Sequence, residues 1–76
     1  MPKGPTDDER AEKLWAIAGK LLDKSSLDND ARALEVARKV AALARHVTMK
    51  PEGWRAYADL FIAAADPEDA LKGIPC

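Results

Sequence analysis

The segment ARALEVARKVAALARHV, residues 31–47, decides the class of fold. Within it Ala33, Leu34, Ala37, Val40, Ala41, Ala44 and Val47 recur at intervals of three and four. That spacing lines one face of an α-helix. Arg32, Glu35, Arg38, Lys39, Arg45 and His46 fall on the other side and make a solvated face. A strand would alternate apolar and polar residues at every second position, and no stretch of the chain does so.

Upstream, Ala11, Leu14, Trp15, Ala18, Leu21 and Leu22 form a second stripe, which predicts a helix running to about Lys24. Thr6 and Glu9 stand at the two positions of a capping box, and Asp7 and Asp8 place negative charge at the positive end of the helix dipole. Ser25, Ser26, Asp28 and Asn29 read as a polar turn that supplies N-caps for the helix after it. Downstream, Lys50-Pro51-Glu52-Gly53 marks a stop and a restart, with Pro51 at a first helical turn where its missing N–H costs nothing. Trp54, Tyr57, Ala58, Phe61 and Ala65 give a third stripe. Asp66-Pro67-Glu68-Asp69 opens a fourth helix that Gly73 and Pro75 cut short.

Connections this short make successive helices antiparallel. The expected fold is therefore all-α: three antiparallel amphipathic helices plus a short C-terminal helical turn. Residues 6–74 form a single helical domain behind a Pro/Gly-rich tail, residues 1–5, expected to be disordered.

Composition narrows the function. Seventy-six residues sit near the lower limit for one self-sufficient core, so stability depends on good helix packing, self-association or a larger partner. With 12 basic and 13 acidic side chains the near-neutral balance argues against nucleic acid as a partner. No apolar run approaches the roughly 20 residues of a membrane-spanning helix, and the N-terminus lacks the apolar segment of a secretory signal. The one cysteine, Cys76, is the last residue, which suits a reducing, cytoplasmic setting and an inert thiol. His46 is the only histidine, so no multi-histidine metal site exists and no cofactor is expected. Near a helix C-terminus its simplest reading is an exposed residue facing unpaired carbonyls. No nucleophile–base pair stands out, because Thr6, Ser25, Ser26 and Thr48 occupy cap and turn positions. The chain reads as non-enzymatic.

The first and third stripes share a pattern. Trp15-x-x-Ala18-Gly19-x-x-Leu22 lines up with Trp54-x-x-Tyr57-Ala58-x-x-Phe61, with Gly19 and Ala58 as small residues that admit a neighbouring helix. Ala33-x-x-x-Ala37 follows the first and Ala70-x-x-x-Ile74 the second. This resembles the tetratricopeptide repeat, a helix–turn–helix unit with the pattern Trp-x-x-Leu-Gly-x-x-Tyr, then Ala-x-x-x-Phe, then Pro. The tryptophans lie 39 positions apart, from 15 to 54, against the family's period of 34. The resemblance covers residues 11–74, about one and a half repeats.

The resemblance implies a repeat-like helical hairpin whose first helices line a groove for a peptide or helix. Carried over by position, the groove side chains are Lys13, Ala16, Lys20, Asp23 and Lys24 in the first unit. In the second they are Glu52, Arg55, Asp59, Ile62 and Ala63. Lys13, Lys20, Lys24, Arg55, Asp59 and Ile62 are thus the candidate partner-binding residues, with ordinary solvated charge as the plainer alternative. The lysines would attract an acidic segment or a C-terminal carboxylate. The expected role is an interaction module or small adaptor with a protein or peptide partner, self-association included. Two readings compete: a designed helical bundle hosting a small molecule or cofactor through His46, and a compact inhibitor of a macromolecular target.

Overall fold

A computed structural model of the chain describes residues 6–64 and 66–74. The tail 1–5, Ala65 of the third stripe and Cys76 lie outside the described residues. Four helices follow in order: α1 (Asp7–Asp28), α2 (Ala31–Met49), α3 (Pro51–Ala63) and the single turn α4 (Pro67–Leu71). There is no strand among the described residues, so the all-α expectation holds.

Local chemistry sets each boundary. The Glu9 amide donates to Thr6 Oγ1 at 3.2 Å, which caps the start of α1. At the other end α1 runs past the predicted Lys24 by a full turn, taking Ser25, Ser26 and Asp28 into the helix. The stop is Asn29, the only non-glycine residue with positive φ among those described (φ 53°, ψ 44°). Asparagine tolerates this left-handed conformation, and it lets the Asp30 amide reach back to the Ser25 carbonyl at 3.1 Å. Asp30, not the serines upstream, then caps α2: its Oδ1 accepts from the amides of Arg32 (3.0 Å) and Ala33 (3.2 Å). The Lys50 amide closes α2 on the His46 carbonyl at 2.7 Å, and Pro51 starts α3 without a side-chain cap. Asp66 caps α4 by accepting from the Glu68 amide at 3.1 Å.

The two long helices form an antiparallel hairpin, and α3 lies along one side of it, against both. The core gathers Leu14 and Ala18 from α1, Val36, Val40, Leu43, Ala44 and Val47 from α2, Ala58 and Phe61 from α3, and Ile74 beyond α4. Because α2 meets α1 on one flank and α3 and α4 on the other, its buried arc is wider than the predicted stripe. Val36 and Leu43 supply the additional part, while Leu34 and Ala41 are only partly covered.

In α1 the buried arc is rotated relative to the predicted stripe. Ile17 and Leu21 pack against the core, and Trp15 and Leu22, expected inside, are 45% and 47% exposed. Phe61→Ala should therefore lower the free energy of unfolding by about 3–5 kcal/mol. Leu60→Ala, at a neighbouring but mostly exposed position, should change it by less than about 1 kcal/mol. Urea unfolding followed by circular dichroism checks both, and equal losses would contradict this assignment of the core.

Candidate functional site

Charge pairs fix α3 against the start of α1. Arg10 sits between two carboxylates, donating to Asp7 Oδ1 at 3.0 Å and to both oxygens of Asp59 at 2.7 and 3.3 Å. Arg55 returns from α3 to clasp Asp7, with Nε and Nη2 each 2.9 Å from a carboxylate oxygen. Two-pronged arginine–carboxylate pairs of this kind fix orientation as well as distance. The hydrogen bonds from Arg55 hold the Asp7 carboxyl below its ordinary 3.8; the positive charges of Arg55 and Arg10 add to this and outweigh partial desolvation. Asp59 and Asp7 in turn hold Arg10 and Arg55 more firmly protonated. Arg55 and Asp59, both candidates for partner contact, are thus engaged within the chain.

The other candidates are dispersed. Lys13, Lys20 and Lys24 are exposed on α1, spaced along a flank away from the buried arc. Lys24 borders a cleft of about 270 Å³ where α1 ends, lined also by Leu21, Asp30, Arg32 and Pro67. Arg32 and Glu68 form an ion pair at its mouth. Arg55 lines a different depression, with Thr6, Asp7 and Arg10. Ile62 is partly buried and packs against the core.

His46, expected in the solvated row, is half-buried, and its ring stacks on Trp54 with centroids 4.3 Å apart and planes 12° from parallel. Tyr57 also meets Trp54, with ring centroids 5.5 Å apart and planes tilted by 53°. The short Lys50 connection makes this possible, because it brings the first turn of α3 beside the last turn of α2. Trp54 and Tyr57 of the third stripe therefore serve the α2–α3 junction, where offset ring contacts add to ordinary burial.

Among the described residues, the side of the hairpin opposite α3 is left open. A groove of about 220 Å³ runs along it, lined by Trp15, Ala18, Gly19, Leu22, Ala37, Arg38 and Ala41. Trp15 and Leu22 stand as its large apolar walls, each about half exposed. Small residues form the floor. A Cβ on Gly19 would meet nothing within 4 Å beyond its own stretch of helix, so no other helix among the described residues occupies the space that the missing side chain leaves. The sequence signal for this surface is the Trp15–Leu22 motif, whose helical spacing alone predicts a core face. Comparison with known protein families, characterised proteins and solved structures finds no match to this chain.

Two outcomes follow. Because folding lowers the Asp7 pKa, the pair's contribution is full above the ordinary 3.8 and is lost as pH falls through the lower folded value. Asp7→Asn should remove that part of the acid-side decline in thermal midpoint and leave the neutral-side slope alone; an unchanged acid limb would contradict it. Gly19→Ala should raise stability by roughly 0.5–1 kcal/mol, since it improves helix propensity in open space. Urea titration at low micromolar concentration measures this, and a loss would show that the position is not open.

Proposed function

We propose that this chain is a protein–protein interaction module that receives a helix on the outer face of its α1–α2 hairpin. One observation carries the reading: Trp15 and Leu22, half exposed, wall a groove in which, among the described residues, no other element of the chain comes within 4 Å of a Cβ placed on Gly19. Tryptophan is among the residues most enriched in binding hot spots, and Trp15 stands exposed beside this cleft. A glycine inside a helix lowers helix stability by roughly 0.5–1 kcal/mol relative to alanine, and close approach of a partner backbone offsets that cost. The role is non-enzymatic, in keeping with the resemblance to helical-repeat adaptors. The surface is not the lysine-lined groove that the repeat pattern implied. It lies on the other side of α1, where the apolar area is. No helix among the described residues is long and apolar enough to cross a membrane.

A displayed library of amphipathic helical peptides, selected against the immobilised chain, tests the reading. Selected peptides should bind at least tenfold more weakly (roughly 1.4 kcal/mol or more) to Trp15→Ala and to Gly19→Leu. Lys20→Glu should change their affinity less than about twofold, a fraction of a kcal/mol. Peptides indifferent to Trp15 but abolished by Lys20→Glu would instead place recognition on the lysine flank.

A further inference from the structure

The charges bordering the open groove say which helix it takes. Helical spacing places Glu12, one turn before Trp15, and Asp23, one turn after Gly19, on the α1 edge of the groove. On the α2 edge stand Arg38, which lines the groove, and Arg45, one turn beyond Ala41. One edge is acidic and the other basic. None of these four side chains makes an ion pair or side-chain hydrogen bond among the described residues. Because the hairpin is antiparallel, Glu12 lies at about the level of Arg45, and Asp23 within a turn of Arg38, across the groove.

A surface with one acidic and one basic edge at matching levels is complementary to itself. We propose that the groove is filled by a second copy of this chain, forming a twofold four-helix dimer in which α1 of each copy lies over α2 of the other. This rests on the docking-face reading above and names its partner. The charges select the symmetry. With the twofold axis along the helices, Glu12 of one copy faces the partner's Arg45, and Asp23 faces the partner's Arg38. With the axis across them, α1 would face α1 and α2 would face α2, setting acid against acid and base against base. Trp15 and Leu22 then lie over the small-residue floor of the opposing hairpin, and Gly19 admits the partner's α2. A four-helix layer also supplies the burial that a chain of this length obtains only with difficulty alone.

Light scattering across about 1 µM to 1 mM, the range where modest interfaces dissociate, tests this on the whole chain, with circular dichroism confirming that each variant keeps its helicity. The wild type should move from monomer to dimer and stop there. Trp15→Ala should weaken the dimer at least tenfold. Glu12→Arg and Arg45→Glu should each weaken self-association by about tenfold, the effect of two symmetry-related exposed pairs lost together. An equimolar mixture of these two variants should regain it, because each supplies the charge that the other now needs.

A chain that stays monomeric at every concentration overturns the proposal. So does association indifferent to Trp15 or to the charge reversals, and so does growth beyond the dimer, which would indicate head-to-tail stacking. A monomer whose selected helical peptides still depend on Trp15 would overturn only the identity of the partner. A monomer with no such peptides would overturn the docking face as well.

Discussion

Two helices side by side have two faces, and one further helix can cover only one of them. The rest of this structure depends on that constraint. At 1.5 Å per residue the 22-residue α1 is about 33 Å long and the 13-residue α3 about 20 Å. The third helix is thus short as well as single. It lies against α2 at the His46–Trp54 stack and against α1 through the Asp7–Arg10–Asp59–Arg55 network. Each attachment uses side chains that would otherwise be free for other work. The covered side of the hairpin is therefore where the aromatic and charged residues are satisfied.

The open side carries the opposite character. Its walls are large and apolar, its floor is small, and its bordering charges are unpaired among the described residues. Under the proposed function, an apolar surface in that state receives another molecule. The proposed four-helix dimer rests on the same features, with the edge charges deciding which of two symmetric arrangements is favourable.

Much of the fold was legible in the sequence. The three-and-four spacing in residues 31–47, the Pro51 restart and the Asp66-Pro67 start each correspond to a helix in the structure, because helix periodicity and capping are local properties. What spacing could not supply is which part of an apolar arc faces inward. In α1 the stripe spans both Leu21 and Leu22, and only the position of α3 decides that Leu21 is packed and Leu22 is open. For α2, with neighbours on both flanks, a single stripe omitted Val36 and Leu43. Serines 25 and 26 read as turn, although the local stop is the left-handed Asn29. Spacing puts His46 on the solvated side of α2, because its partner Trp54 lies on the next helix. The Trp15–Leu22 motif is legible in the sequence, and its exposure depends on no further long helix among the described residues covering it.

Fluorescence of Trp15 alone, in a Trp54→Phe background, tests the central claim most directly. At low micromolar concentration Trp15 should emit at long wavelength and be quenched readily by acrylamide. Raising the concentration should move the emission to shorter wavelength and protect it from the quencher. Short-wavelength, quencher-resistant emission in the dilute monomer would place Trp15 in the core and contradict the open face.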